Sequence, residues 1–142
     1  MEKDNPISAG VAVVRRIDGE WHFLLLRAYQ HWDFPKGLVE DGEESLQAAL
    51  REVEEESTLV GLVFHWGYGF YETAPYGKHR KIARYYIAES SSGDVDLPIN
   101  PELGHPEHEE FCWVTRKRAY ELVSPRVHLV LDWITRTMKL DG

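Results

Sequence analysis

The sequence contains a single cysteine, Cys112, among its 142 residues. One cysteine cannot form an internal disulfide bond, and chains without disulfides are typical of a reducing compartment. The longest apolar stretches are four or five residues, such as Phe23 to Leu26, whereas a helix that crosses a bilayer needs roughly 20. The first six residues lack the apolar segment of a secretory signal. We therefore expect a cytoplasmic protein that makes no membrane contact.

Positive charge is also scarce, with 16 basic against 24 acidic residues and a formal net charge of −8. Such a surface repels long polyanions, which argues against duplex nucleic acid as a partner. The excess acid could instead be concentrated at a site for divalent cations. The length, the 43% hydrophobic content and the absence of repeats or linkers predict one domain spanning residues 1–142.

The pattern of apolar and turn residues predicts a mixed β-sheet flanked by helices, an α+β chain arranged as an α/β/α sandwich. We expect a hairpin at Asp18-Gly19, a helix over 43–59 with Ser45 as its N-cap, and a final helix that begins after Ser124-Pro125. The predicted strands are 8–16, 21–27, 38–39, 62–72, 81–89 and 111–114, with loops at 32–37 and 90–106 and a helical turn at 117–123.

Three glutamates of the predicted helix, Glu52, Glu55 and Glu56, stand at positions i, i+3 and i+4. At about 100° per residue they share roughly a third of the helix circumference, so their carboxylates can converge. Like charges at this spacing destabilise an isolated helix by about 0.2–0.5 kcal/mol per pair. A divalent cation bound by hard oxygen ligands would offset the repulsion. The alternative for such a run is a solvated helix face.

The spacing around these glutamates favours a cation site over a solvated helix face. Gly37-x5-Glu43-x7-Arg51-Glu52-Val53-x-Glu55-Glu56-x-Thr58-Leu59 resembles the Nudix box, Gly-x5-Glu-x7-Arg-Glu-U-x-Glu-Glu-x-Gly-U, where U is a bulky aliphatic residue. Eight of the nine defined positions match over 23 residues. The departure is Thr58, where the family has a glycine that ends the helix with positive φ. Because that conformation is costly for a β-branched residue, we expect an altered helix exit and unchanged metal ligands.

The resemblance implies a metal-dependent hydrolase of a phosphoanhydride bond. Glu52, Glu55 and Glu56, with the Gly37 carbonyl, would hold Mg²⁺ or Mn²⁺, which neutralises phosphate charge and lowers the pKa of an attacking water. Arg51 would pair with a box carboxylate, either Glu43 or Glu52.

A general base in this family is often a glutamate on a later loop. The segment 106–113 offers Glu107 as the first choice and Glu109 as the second. His105 and His108 lie in the same segment, but a hard cation prefers oxygen. We therefore interpret both histidines as surface residues.

The segment that precedes the box indicates the substrate class. Trp32-Asp-Phe-Pro-Lys-Gly resembles the matching run of the asymmetric diadenosine tetraphosphate hydrolases. In that subfamily a tyrosine on the strand after the box stacks on adenine, and the matching position is Tyr85. Its neighbour Tyr86 faces the other side of a strand, so only one of them can face a ligand; an aromatic pair in a strand can equally be core.

A basic cluster favours a phosphate-rich ligand. Lys36 stands at the start of the box, and the other members follow it in the turn and strand after the box: Lys78, His79, Arg80, Lys81 and Arg84. The predicted phosphate or base contacts are Lys36, Lys81, Arg84, Tyr85 and Trp32, with a small nucleotide as the partner.

These features lead to one main hypothesis, the hydrolysis of diadenosine tetraphosphate to ATP and AMP. Removal of pyrophosphate from the 5′ end of RNA is the nearest alternative, because the segment from Glu107 to Trp113 resembles the RNA pyrophosphohydrolases. ADP-ribose and oxidised nucleoside triphosphates are further substrates to consider. Two alternatives do not involve hydrolysis. One is a catalytically silent binding module, which would have lost box glutamates, and the other is an isomerase. The isomerase would need a reactive cysteine, but Cys112 is expected to fill the core.

Overall fold

The computed structural model describes residues 5–140; the polar N-terminal tail predicted from the sequence lies largely outside this range, at residues 1–4. The strands are β1 (Ile7–Ile17), β2 (Glu20–Ala28), β3 (His31–Asp33), β4 (Lys36–Leu38), β5 (Tyr71–Glu72), β6 (Ile82–Glu89), β7 (Ile99–Asn100), β8 (His105–Pro106) and β9 (Glu110–Thr115). The helices are α1 (Ser45–Ser57), α2 (Arg116–Leu122) and α3 (Pro125–Met138).

Strand β1 is the centre of a mixed sheet. It runs parallel to β6 along its length, and its other edge pairs antiparallel with β2 in its second half and with β4 in its first half. Strand β2 continues beyond β1 to pair with β3 and carries β9 on its opposite edge. The run from Ser8 to Val14 is fully buried, which explains its nearly unbroken apolar sequence.

The two faces of this sheet are covered by different helices. Val11, Val13 and Tyr86 face the buried side of α1, formed by Ala49 and Val53. On the opposite face, the side chains packed together include Val14, Tyr85, Ile87, Val127, Val130 and Ile134, the last three from α3. The predicted sandwich of helix, sheet and helix is therefore confirmed. Within residues 5–140, no helix has the length and apolar character needed to span a membrane.

A close crossing of two backbones brings the box glycine to helix α1. The amide of Val11 donates to the carbonyl oxygen of Pro35 at 3.1 Å. A Cβ atom at position 10 would lie 2.2 Å from that same oxygen, so only Gly10 permits the approach. The crossing directs the chain into β4, which pairs Ala9 with Gly37 and runs alongside α1.

Several predicted boundaries are wrong. Residues 32–37 were expected to be a loop, but they contain β3 and β4, because both find free edges of β2 and β1. The strand expected over 62–72 reduces to β5 and one bridge between Val63 and Glu89. Gly67 within this range and Gly61 just before it adopt positive φ, which interrupts the extended backbone. The long loop from residue 90 contains only the short β7–β8 hairpin. Cys112 is half-buried against the core on the α3 side, as expected.

Helix α1 is shorter than the predicted span of 43–59, and its N-cap lies one residue earlier than expected. Its N-cap is Glu44, which forms a capping box with Gln47, whereas Ser45 was predicted to take this role. Ser45 is instead the first helical residue, and its hydroxyl group pairs with that of Tyr86 on the sheet. This bond fixes the start of α1 to β6.

The exit of α1 also differs from expectation. Thr58 is the C-cap and adopts φ 66°, in the left-handed region, with its amide bonded to Glu54. The altered exit predicted for a non-glycine residue is therefore wrong, since threonine takes the conformation in which the family has glycine. Its cost, about 1–2 kcal/mol for a residue with a Cβ, is borne by the surrounding fold.

We predict that Thr58→Gly stabilises the protein by about 0.5–1 kcal/mol. Glycine relieves the left-handed strain but loses part of the gain through its more flexible unfolded state. Urea denaturation measures the difference, and Thr58→Ala is the matched control because alanine keeps the Cβ. Equal stability of the glycine and alanine variants would contradict a strained exit.

Candidate metal centre and active site

Two of the three clustered glutamates of the box lie at the buried edge of α1. Glu56 is only 7% exposed and the Glu52 side chain 13%, whereas the Glu55 side chain is 57% exposed. The Oε1 atom of Glu56 accepts a hydrogen bond of 3.2 Å from the amide of Lys36 on β4. Its Oε2 atom is buried without any partner among the described residues. Burial of a carboxylate oxygen without a hydrogen-bond donor lowers the stability of the folded protein, and a bound ligand would remove this cost.

Gly37 is required where β4 passes α1. A Cβ atom at this position would lie 2.1 Å from the carboxyl group of Glu52. The absence of a side chain therefore allows the Glu52 carboxylate to rest against the backbone of β4. The geometry explains why a glycine precedes the acidic helix at this spacing.

Arg51 holds the acidic groups in fixed directions. Its Nε and Nη2 atoms donate to the two carboxylate oxygens of Glu43, at 2.8 and 3.0 Å, in a bidentate pair. Its Nη1 atom donates to Glu52 at 2.7 Å and to Glu55 at 3.2 Å. Both partners named from the sequence are thus in contact with Arg51. The bond from Arg51, aided by the amide of Glu40, lowers the pKa of Glu43 to about 2.

The electrostatics of Glu56 differ from those of Glu43. Burial raises the pKa of Glu56 well above its ordinary value, and the neighbouring carboxylates of Glu107 and Glu52 raise it further. Burial also raises the pKa of Glu52, although Arg51 opposes the shift. An anion in such a place needs a positive charge, and these hard oxygen donors suit Mg²⁺ or Mn²⁺. The residues present therefore fit a divalent cation.

The segment before β9 completes the site. A carboxylate oxygen of Glu107 and a ring nitrogen of His108 come within 4.8 Å of each other and of a Glu56 oxygen. Glu109, the second choice for the base, instead accepts from the amide of Tyr29 at 3.0 Å and pairs with Arg27. Of the two, only Glu107 lines the cleft beside the box glutamates.

The histidines of this segment behave differently from each other. His105 is exposed, as expected. The His108 side chain is only 15% exposed and faces Glu56 and Glu107, so its assignment to the surface is wrong. The pairing of β9 with β2 pulls the chain inward at this point. Its position directly after Glu107 is the one sequence signal that could have indicated this.

These groups line a cleft of about 630 Å³ between α1 and the β7–β8 hairpin. One wall is acidic, with Glu52, Glu55 and Glu56, and the other is apolar, with Leu97, Pro98 and Ile99. Among the described residues that line the cleft, Arg51 is the only lysine or arginine. The cleft can therefore accept an anionic ligand only together with cations.

Comparison with known proteins agrees with this architecture. A family model described as the NUDIX domain matches residues 4–134. The chain belongs to the Nudix family. The box is the segment that carries the acidic site, and the match extends over both helical layers of the sandwich.

Relatives of this Nudix hydrolase include enzymes of two activities. The asymmetrical bis(5′-nucleosyl)-tetraphosphatase of Caenorhabditis elegans is 31% identical over 121 residues, which cover 81% of this chain and 83% of the relative. The RNA pyrophosphohydrolase of Pelagibacter ubique is 31% identical over 144 residues, covering 93% of this chain and 82% of the relative. The crystal structure of a C. elegans Ap4A hydrolase binary complex superposes with a TM-score of 0.77, at 28% identity, covering 94% of this chain and 98% of that one.

Tyr85 does not offer a stacking surface in this Nudix fold. It is 0% exposed and lies in the core on the α3 side of the sheet, with its ring edge-on to Phe34. Its predicted role as an adenine platform is wrong, because register with β1 turns it away from α1. Its neighbour Tyr86 faces α1 but is also buried.

The hydroxyl group of Tyr85 belongs to a polar network that the sequence did not reveal. It donates to Asp33 at 3.0 Å, and Arg126 of α3 donates to both Tyr85 and Asp33 at 2.8 and 2.9 Å. The Arg126 guanidinium also lies 4.1 Å from the ring centre of Tyr76. Two features of the sequence could have indicated this network. Arg126 stands next to the apolar residues of the final helix, and Asp33 stands between the aromatic residues Trp32 and Phe34.

The remaining predicted substrate contacts are dispersed. Lys36 joins the two regions, since its amide bonds Glu56 and its Nζ atom lies 3.8 Å from Asp33. Trp32 lines a smaller cleft of about 220 Å³ together with Asp33 and Arg126. Arg84 is engaged by Glu72 at 2.8 Å. Neither Arg84 nor Lys81 is among the described residues that line either cleft.

We predict that Glu56→Gln stabilises the metal-free protein at neutral and alkaline pH. A carboxyl group whose pKa is raised by folding binds its proton more tightly in the native state. Native stability therefore falls as pH rises above the ordinary value of 4.5. Glutamine keeps the bond from Lys36 and carries no charge, so the advantage of the variant should grow between pH 5 and pH 8.

Urea denaturation with a chelator measures this difference, with Glu55→Gln as the exposed control from the same helix. The same stability difference at both pH values, or an equal gain in the control, would contradict an uncompensated carboxylate at Glu56.

Proposed function

We propose that this Nudix hydrolase cleaves a phosphoanhydride bond of a dinucleoside polyphosphate, converting diadenosine tetraphosphate and water to ATP and AMP. The observation that carries the proposal is the meeting of Glu52, Glu56 and Glu107 in one cleft, with a buried oxygen of Glu56 that has no partner. The substrate class is supported by the C. elegans tetraphosphatase, which is related over most of both chains.

The cofactor of this proposal is Mg²⁺ or Mn²⁺. Glu52, Glu55, Glu56 and the Gly37 carbonyl would hold it, and it would neutralise phosphate charge and acidify a water molecule. Arg51 keeps Glu52 oriented and Glu43 ionised by its bidentate pairing. The guanidinium of Arg51 remains charged at any working pH, so the positive charge of these pairs does not depend on pH.

Glu107 is the proposed general base. It lies at the edge of the cleft beside Glu56, and its side chain is half exposed. It would accept the proton of the attacking water as the new phosphorus–oxygen bond forms and the bond to the leaving nucleotide breaks. Glu109 cannot replace it without giving up its bonds to Arg27 and Tyr29.

Lys36 is the proposed phosphate contact. Its position between Glu56 and Asp33 places a positive charge between the acidic cleft and the smaller cleft that contains Trp32. A polyphosphate that extends from one cleft to the other would pass this charge. Trp32, Lys81 and Arg84 remain proposed contacts of the outer parts of the substrate, and Arg84 would first have to leave Glu72.

The decisive experiment is a substrate panel with Mg²⁺ in which products are separated by chromatography. We expect wild-type protein to release ATP and AMP from diadenosine tetraphosphate. Glu56→Gln should lower kcat by about 100-fold or more, because the removal of a group that holds charge in the transition state commonly costs this much.

Glu54→Gln provides the control for that loss. Glu54 is an exposed glutamate of the same helix at an undefined position of the box, so its variant should remain within about threefold of wild type. Full activity of Glu56→Gln, or no turnover of any polyphosphate by the wild type, would overturn the proposal.

Removal of pyrophosphate from RNA is the second candidate, supported by the P. ubique relative that covers 93% of this chain. The two activities share the acidic cleft and differ in what lies beyond it. A net charge of −8 disfavours contact with a long polyanion. Release of pyrophosphate from a triphosphorylated RNA at 0.15 M salt, at a rate above that for the dinucleotide, would favour this candidate.

We predict that Lys36→Met raises the KM for diadenosine tetraphosphate by about tenfold, since one charge-assisted phosphate contact contributes roughly 1.5 kcal/mol. Methionine preserves the apolar stem and the backbone bond to Glu56. Steady-state kinetics measure the change. Lys78→Met, in the exposed turn before β6, should leave KM within about twofold. Equal effects of the two variants would contradict a specific contact at Lys36.

A further inference from the structure

His108 lies between two acidic groups of the metal centre. Its Nε2 atom is 4.0 Å from Oε1 of Glu56, and its Nδ1 atom is 3.8 Å from Oε2 of Glu107. The side chain is only 15% exposed and lines the same cleft as both carboxylates. An imidazole in this place could pair with the carboxylates directly or share a cation with them.

The distances distinguish these possibilities. Hydrogen bonds between nitrogen and oxygen span about 2.7–3.2 Å, so neither carboxylate is bonded to the ring. Two ligands that lie about 2.1 Å from one octahedral ion are separated by about 3 Å when adjacent and about 4.2 Å when opposite. The spacing from His108 to Glu56 is too long for a direct bond and falls within the range of two ligands of one ion.

The orphaned oxygen of Glu56 is a separate observation at the same place. Glu56 is more than nine-tenths buried, and its Oε2 atom has no partner among the described residues. Its immediate charged neighbours are the carboxylates of Glu107 and Glu52, which carry charge of the same sign. A cation among Glu56, Glu107 and His108 would satisfy this oxygen and separate the like charges.

We propose that His108 supplies a nitrogen ligand to a cation shared with Glu56 and Glu107, and that this nitrogen makes the position prefer Mn²⁺ to Mg²⁺. The inference rests on the metal centre of the proposed function but concerns the identity of a ligand and of the ion. Imidazole binds first-row transition ions, whereas Mg²⁺ selects oxygen donors and retains water. A site made only from the box glutamates and the Gly37 carbonyl would lack this preference.

The test is pulsed electron paramagnetic resonance of the wild-type protein with one equivalent of Mn²⁺ and no nucleotide. We expect modulation from a directly coordinated ¹⁴N nucleus, which changes to the ¹⁵N pattern when the protein is labelled with ¹⁵N-histidine. His108→Gln should remove the modulation. His105→Gln, which changes an exposed histidine three residues earlier, should retain it.

Calorimetric titration gives a second readout. His108→Gln should weaken Mn²⁺ binding by about tenfold or more and Mg²⁺ binding by less than about threefold, because only the transition ion benefits from the nitrogen. His105→Gln should alter neither affinity. Urea denaturation with a chelator checks that both variants are folded.

An absence of histidine modulation in the Mn²⁺-loaded wild type would overturn the proposal without reference to any variant. Modulation that persists in His108→Gln, or an equal loss of Mg²⁺ and Mn²⁺ affinity, would also overturn it. Both readouts measure metal binding alone. A protein that shows the nitrogen signal but hydrolyses no polyphosphate would refute the proposed function and leave this ligand assignment intact.

Discussion

The guanidinium group of Arg51 donates to Glu43, Glu52 and Glu55 and to the carbonyl oxygen of Leu38. Without it, helix α1 would present several carboxylates at one point with no protein charge to oppose them. The fork joins the loop before the helix, the end of β4 and the helix itself, so it fixes their relative positions. A lysine could not do this, because an ammonium group lacks the planar arrangement that binds two carboxylates at once.

Arg51 compensates only part of the acidic cluster. Glu43 is paired and readily ionised, whereas Glu56 lies beyond the reach of the fork and is left with one backbone donor. The division gives the two carboxylates different tasks. Glu43 holds the guanidinium of Arg51 in a fixed orientation, and Glu56 is available to a cation. A bound cation would satisfy the Oε2 atom of Glu56, which is buried and has no hydrogen-bond partner among the described residues.

The fold arranges these groups through two close approaches. Gly10 allows Pro35 to enter beside β1, and Gly37 allows the carboxylate of Glu52 to rest against β4. Any side chain at either position would separate the acidic helix from the strand that supplies Lys36. On the opposite face of the sheet, Asp33, Tyr85 and Arg126 form a network that connects the turn between β3 and β4, which contains Pro35, to α3. The segment from β3 to β4 therefore has fixed contacts on both faces of the sheet.

The local patterns of the sequence determined much of this protein. Spacing within short segments determines strand β1, the hairpin, helix α1, the final helix and the convergence of the box glutamates. Such spacing can be recognised in a single sequence. The exit at Thr58 was misjudged because tertiary contacts can hold a threonine in a conformation that it does not favour alone. The strand expected over 62–72 failed because glycines of positive φ interrupted an apolar pattern.

Only the tertiary structure decided which face Tyr85 would occupy and which partners His108 and Arg126 would meet. These outcomes depend on the register between β1 and β6, on the pairing of β9 with β2, and on where α3 crosses the sheet. A shift of one residue in register turns every side chain of a strand to the opposite face of the sheet. The sequence by itself thus determined the acidic cluster of the box, because its spacing lies within one helix, while long-range pairing decided which other groups surround that cluster.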